Sequence, residues 1–106
     1  MKKKPAKTFN FCINDLILFC IYSVNLNGEK CSFERLLKEC FILSPESLSF
    51  ARYPIWPDSR KLDRPLRSLR KENLVKGDPQ TYFLLTEKGE KKALDAAKIF
   101  KQGKLL

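Results

Sequence analysis

The chain has 106 residues, enough for one domain with a single modest core and too few for two. Its apolar fraction of 43% and aromatic fraction of 11% argue against a wholly disordered protein. The apolar runs are shorter than the ~18 residues of a membrane-spanning helix. The net charge of +9 is therefore the main compositional clue to a partner.

That charge is distributed unevenly along the chain. Residues 1–7 carry +4, residues 8–50 carry −2, residues 51–77 carry +5 and residues 78–106 carry +2. A positive excess confined to a tail and one internal stretch is typical of proteins that bind phosphates. Solubility alone would also explain a basic chain.

The first residues, MKKKPAK, predict a flexible basic arm at 1–7, followed by a single domain at 8–106. The arm could enter a minor groove or serve only solubility. The lysines and the apolar stretch after them resemble a secretory signal, but Asn14 and Asp15 interrupt that stretch and no small-residue cleavage site follows. We therefore expect a cytoplasmic protein.

Two helices are predicted in the first half of the chain. The segment NDLILFCIYSVN is apolar on nearly every side, which predicts a central helix with Asn14 as N-cap, unless it begins nearer Thr8. Ser32 is expected to cap the second helix. The second helix has an apolar stripe, formed by Phe33, Leu36, Leu37 and Phe41.

The stretch 44–57, SPESLSFARYPIWP, predicts an ordered loop. Pro45 either ends the second helix or opens a short extra turn with Ser44 as cap. The loop contains three aromatic residues, Phe50, Tyr53 and Trp56. Aromatic residues in such loops usually pin the loop to its own core. The alternatives are stacking on bases or binding a protein partner.

A third helix is predicted with Asp58 or Ser59 as its cap. Its apolar stripe consists of Leu62, Leu66 and Leu69. Pro65 disturbs a helix interior, so either the helix kinks there or Asp63 is the true cap. We favour a kinked helix that begins near Ser59.

A hairpin and a last helix complete the chain. Residues 74–76 and 81–85 are strand candidates around GDPQ, and Thr86 is the expected cap of the last helix. One side of that helix is predicted to carry Ala93, Leu94, Ala97 and Phe100. This side, with Tyr82 and Leu84 facing outward from the hairpin, suggests a homodimer.

The segments LRSLRKENLVKG and YFLLTEKGEKKAL, within residues 58–94, resemble the recognition helix, wing and following helix of MarR- and PadR-like transcription regulators. The positions that match are Leu69, Leu74, Val75, Phe83, Leu85, Thr86 and Gly89. Asn73 stands where glycine is usual, and both residues accept left-handed backbone geometry. The resemblance implies a mainly α winged helix-turn-helix fold with a small β-hairpin. Two features depart from the family: the long 44–57 loop, and a wing tip without a basic residue.

On a helical wheel, four cations of the third helix lie opposite its leucines, within about 60° of one another. They are Arg60, Arg64, Arg67 and Lys71. Lys61 and Ser68 lie on one flank as weaker candidates. Guanidinium groups bind phosphates and pair bidentately with guanine, so this strip suits DNA. Arg64 and Arg67 are the residues expected to read bases, although runs of charge are often only solvated surface.

Catalysis and metal binding have little support in the sequence. It contains no histidine, no glycine-rich phosphate loop and no C-x-x-C knuckle. We expect the cysteines to be reduced core or near-core residues: Cys12, Cys20, Cys31 and Cys40. We accordingly expect a protein that is not an enzyme and that needs no cofactor or zinc.

The sequence thus predicts a small transcription regulator that binds double-stranded DNA, with the helix from about Ser59 to Asn73 in the major groove. The alternative is a winged-helix adaptor that binds protein within a larger nucleic-acid-processing assembly. The neutral wing tip and the aromatic residues at 50, 53 and 56 favour that alternative.

Overall fold

A computed structural model describes residues 13–53 and 55–104, with side chains as far as Ile99. These residues form five helices and one two-stranded antiparallel hairpin, in the order α1 (Ile13–Leu26), α2 (Phe33–Leu43), α3 (Pro45–Leu48), α4 (Arg60–Lys71), β1 (Val75–Lys76), β2 (Leu84–Leu85) and α5 (Glu87–Lys104). The predicted mainly helical fold with a small hairpin is confirmed. The expected arm at 1–7 and the start of the domain at residue 8 lie outside the described residues.

Helix α1 is the centre of the molecule, as its nearly continuous apolar surface predicts. It packs against α2, α4, α5 and β2. Its buried residues are Leu16, Ile17, Leu18, Cys20, Ile21 and Val24. The prediction of Asn14 as N-cap is wrong, because α1 already includes Ile13 and Asn14 lies in its first turn.

Helix α2 has the predicted cap, and α3 begins at the predicted residue without a side-chain capping bond. The Ser32 hydroxyl accepts a hydrogen bond from the backbone N–H of Arg35 at 3.1 Å, which confirms Ser32 as the cap of α2. Leu36 and Cys40 of α2 are fully buried. Pro45 opens the short α3, with Ser44 at its N-cap position.

The hairpin pairs Val75 with Leu85 and Lys76 with Leu84. Its second arm also meets the segment before α2, because the N–H of Phe83 donates to the carbonyl of Cys31 at 2.8 Å. The sequence contains no local signal for this pairing, since it joins segments far apart in the chain.

Helix α5 starts at a junction that ties it to the end of α4. The Thr86 hydroxyl donates to the carbonyl of Asn73 at 2.7 Å and accepts from the N–H of Gly89 at 3.0 Å, so the predicted cap is confirmed. A Cβ at Gly89 would lie 1.9 Å from the carbonyl oxygen of Leu74. Only glycine therefore allows this close approach.

The side of α5 that was predicted to be apolar is buried only in part. Ala93 is buried and Ala97 partly buried, but Leu94 is 42% exposed, and Ala96 is buried in its place. A run of neighbouring apolar residues does not by itself show which of them faces inward. The small side chains of Ala93 and Ala96 let α5 lie close to α1. The side chain of Phe100 lies outside the described residues.

Candidate nucleic-acid interface

Helix α4 begins at a buried carboxylate. Oδ1 of Asp58 accepts a hydrogen bond from the backbone N–H of Arg60 at 3.1 Å, whereas the Ser59 side chain makes no capping bond. Burial by itself would raise the pKa of Asp58. Hydrogen bonds from the side chain and backbone of Arg60, together with the charges of Arg60 and Lys61, outweigh burial and lower that pKa below its usual value. A negative charge therefore stabilises the N-terminus of α4.

The helix then runs without a break to Lys71, with Pro65 inside it. The predicted start near Ser59 is confirmed, and the alternative with Asp63 as the cap is wrong. After α4 the backbone of Asn73 has φ 63°, and the N–H of Leu74 donates to the carbonyl of Leu69 at 3.0 Å. Asn73 thus adopts the left-handed geometry expected at a position where glycine is usual.

The two faces of α4 are fully separated. Leu62, Leu66 and Leu69 are buried, with at most 1% of each exposed. All six candidate contact residues are exposed on the other side: Arg60, Lys61, Arg64, Arg67, Ser68 and Lys71. We call these six residues the basic strip. At ~1.5 Å per residue, the helix presents it over roughly 18 Å.

The cations of the strip differ in their contacts. Nε of Arg60 lies 3.4 Å from Oδ1 of Asp58, and Nη2 of Arg67 lies 2.9 Å from Oδ2 of Asp63. Arg64 and Lys71 make no hydrogen bond or ion pair through their side chains within the described part of the chain. Both arginine side chains are largely exposed, at 78% for Arg60 and 71% for Arg67. Ion pairs to such exposed cations contribute little free energy, so both arginines stay available to a phosphate.

Lys61 has a structural contact that the sequence did not indicate. Its Nζ donates to the backbone carbonyl of Ser49 at 2.6 Å, which ties the first turn of α4 to the preceding loop. Beside it lies a shallow depression of about 490 Å³ lined by Ile13, Ser47, Asp58, Arg60, Lys61, Arg64 and Pro65. Three cations and one carboxylate thus surround this depression.

The loop before α4, residues 49–53 and 55–57, is called the aromatic loop below. Tyr53 is 64% exposed, Trp56 59% and Phe50 38%, and the neighbouring Ile55 is 76% exposed. The interpretation that the aromatic residues pin the loop to its own core is therefore wrong. Backbone hydrogen bonds hold the loop instead: Phe50 N–H to the Trp56 carbonyl at 3.0 Å, and Trp56 N–H to the Tyr53 carbonyl at 2.9 Å.

The hairpin adds basic groups that the sequence analysis missed. Nζ of Lys30 lies 5.0 Å from the ring centre of Tyr82, a cation–π distance, and Lys76 is exposed on β1. Lys30 reaches the hairpin because of the pairing between Cys31 and Phe83. Only a prediction of that long-range pairing could have identified it.

The cysteines belong to the core, as expected for Cys20, Cys31 and Cys40, which are free and buried. Cys12 lies outside the described residues. Burial, and then the neighbouring Cys20, raise the pKa of Cys31 to about 12. A hydrogen bond with Cys20, and then burial, also raise the pKa of Cys40. These thiols stay protonated at neutral pH and are therefore poor nucleophiles.

Among the described helices, none combines the length and apolarity needed to cross a membrane.

Comparisons with known proteins identify the fold but no family. No protein-family model matches the chain, and no curated protein matches it. The crystal structure of SSV1 F-93 is similar, with a TM-score of 0.63 at 19% sequence identity. The match covers 93% of this chain and 98% of the other. At this low identity the similarity is evidence of a shared fold alone.

Proposed function

We propose that this chain is a winged-helix protein that binds double-stranded DNA, with α4 in the major groove and the β1–β2 hairpin as the wing, and that it acts as a small transcription regulator. The observation that carries the proposal is the basic strip. It presents five cations and one serine on the solvent face of a helix whose other face is locked into the core by three leucines.

The arrangement around the strip supports the same function. The hairpin follows α4 directly, and its Cys31–Phe83 pairing adds a third short segment beside it, as in a winged helix. With its side chains an α-helix is about 10–12 Å across, which fits the major groove of roughly 12 Å width. Guanidinium groups on such a helix reach phosphates and guanine edges alike.

A second function, adaptor for a protein partner, has its own support. The aromatic loop is exposed, and the hairpin and α5 also expose apolar side chains: Tyr82, Leu84, Leu94 and Ile99. The outward orientation of Tyr82 and Leu84 matches the sequence prediction. A homodimer that covers this surface stays a prediction, as does the absence of a cofactor or bound zinc.

The test compares two variants with the same change in charge. Arg64→Ala/Lys71→Ala removes two cations from the basic strip, and Lys91→Ala/Lys92→Ala removes two exposed cations from α5. We expect the α4 variant to bind duplex DNA roughly 10- to 100-fold more weakly. Its salt dependence should fall by about one ion, because Lys71 is the expected phosphate contact of the pair and each phosphate contact releases counterions. The α5 variant should bind like the wild type.

Fluorescence anisotropy with a labelled duplex at two salt concentrations measures both quantities. Circular dichroism checks that both variants stay folded. Equal weakening in the two variants would show that only net charge matters. No weakening in either would leave the strip as solvated surface and reject the proposal.

A further inference from the structure

The aromatic loop forms a slot that the rest of the fold does not use. The rings of Phe50, Tyr53 and Trp56 line a depression of about 440 Å³ open to solvent. Removing large apolar groups from water lowers the free energy, so a cluster of them that stays exposed marks an interaction site. We call this depression the aromatic slot.

The backbone of the loop is braced, so the backbone needs little ordering when the rings bind. Ser49 pairs with Pro57 across the base of the loop, and the N–H of Asp58 donates to the carbonyl of Leu48 at 2.6 Å. The hydrogen bond from Lys61 to Ser49 fixes this base to the first turn of α4. The loop that carries the slot is therefore anchored at the first turn of α4, where the basic strip begins with Arg60 and Lys61. A preformed site loses less conformational entropy on binding.

Charge distinguishes between the partners that such a slot could take. The sequence SFARYPIWP contains an arginine and no acidic residue. Arg52 is exposed, and its side chain has no ion pair or hydrogen bond among the described residues. The partner must therefore offer a flat apolar group next to negative charge. A nucleobase on its phosphate backbone has both features, and base stacking on aromatic rings accepts any base.

We propose that the aromatic slot binds an unpaired nucleobase of the DNA whose phosphates lie along the basic strip. A base inside a duplex has both faces covered by its neighbours, so the slot takes bases from an overhang, a fork or a single strand. The preferred substrate is then a duplex that ends in a single-stranded segment. The duplex part of this inference rests on the proposed function, whereas the slot itself does not.

Trp56 provides a direct measurement, since it is the only tryptophan in the chain. Its fluorescence therefore reports on the aromatic loop alone. The titration uses a blunt duplex, the same duplex with a thymidine overhang of about 10 nucleotides, and a thymidine single strand of that length, within the range of known single-strand sites. We expect saturable quenching by the overhang and by the single strand, and none by the blunt duplex.

Three variants in the same loop separate stacking from general apolar contact. Tyr53→Ala should weaken overhang binding about tenfold, in the range measured for loss of one stacked base, and leave blunt-duplex binding unchanged. Tyr53→Phe keeps the ring and should bind like the wild type. Ile55→Ala is the matched control, because Ile55 is exposed in the loop but does not line the slot.

The outcomes separate this inference from the proposed function. Quenching by the single strand without any binding of the blunt duplex would support the slot and reject the duplex proposal. Duplex binding without quenching by the overhang or the single strand would support the duplex proposal and reject the slot. Equal losses in Ile55→Ala and Tyr53→Ala would overturn the inference, because an apolar protein-type contact would then explain the loop better than base stacking.

Discussion

Helices α4 and α5 both pack against α1, and both expose many charged side chains, yet their surfaces differ in kind. The exposed face of α4 carries five cations, and the one carboxylate within the helix itself, Asp63, is partly buried. The exposed face of α5 mixes both signs: Glu87, Lys88, Glu90, Lys91, Lys92, Asp95 and Lys98. Interspersed charges are typical of a solvated helix, whereas segregated positive charge creates a field that attracts phosphates. The arrangement of charges, more than their number, therefore distinguishes a binding surface from a solvated one.

The inner faces of the two helices differ as well. Helix α4 buries three leucines, whereas α5 buries Ala93 and Ala96 and has the tightly packed Gly89 in its first turn. Large side chains hold α4 in place by apolar burial. Small side chains let α5 approach its neighbours closely, so the stability that α5 provides depends on the close fit of the packed surfaces more than on side-chain volume.

The largest expected effect concerns these inner faces. Leu66→Ala should lower the free energy of unfolding by about 2–5 kcal/mol, because it removes buried methyl groups and leaves a cavity. Leu94→Ala makes the same chemical change at a position that is 42% exposed, and should cost less than about 0.5 kcal/mol. Urea denaturation, at a concentration where light scattering gives a monomer, measures both. A large loss for Leu94→Ala in the monomer would mean that Leu94 packs against the core of its own chain.

The next effect tests roles within the basic strip. Arg64→Ala should cost roughly 1–3 kcal/mol on a preferred DNA site and reduce its preference over other sequences, as expected for a residue that reads bases. Lys71→Ala should weaken all sequences alike and lower the salt slope by about one. Anisotropy competition with a selected site and with random duplex distinguishes the two. Identical behaviour of the variants would show that the strip binds phosphates only.

The smallest effect concerns the carboxylate beside the strip. Asp63→Asn breaks the ion pair with Arg67 and should change the free energy of unfolding by less than about 1 kcal/mol, because the Arg67 side chain is 71% exposed and solvent weakens the attraction. It should nevertheless strengthen DNA binding a few-fold, since Arg67 is no longer partly neutralised and a repulsive charge is gone. Asp95→Asn on α5 has the same change in charge and should have no effect. If both variants bind DNA equally, a carboxylate on α4 affects DNA binding no more than a carboxylate on α5.

Local patterns predicted much of α4 and its surroundings. Leucines spaced three and four residues apart located the buried face, and the opposite face followed from the 100° step of a helix. Ser32 and Thr86 were predicted as caps from residue type alone. The burial of Ala96 was not predicted, because neighbouring residues of similar apolarity, such as Leu94 and Ala96, compete for the inner face of α5. The prediction failed at the aromatic loop, where burial was expected and exposure is found.

By itself, then, the sequence determined the helices, the hairpin and the single-sign face of α4, because hydrogen bonds within helices and apolar periodicity act over a few residues. The tertiary structure alone decided which aromatic side chains reach solvent, and that Lys61 braces the loop at Ser49. It also decided that Lys30 lies over Tyr82. These features depend on contacts between segments distant in the chain. Such contacts depend on the packing of the whole core around α1, and no short stretch of sequence encodes them.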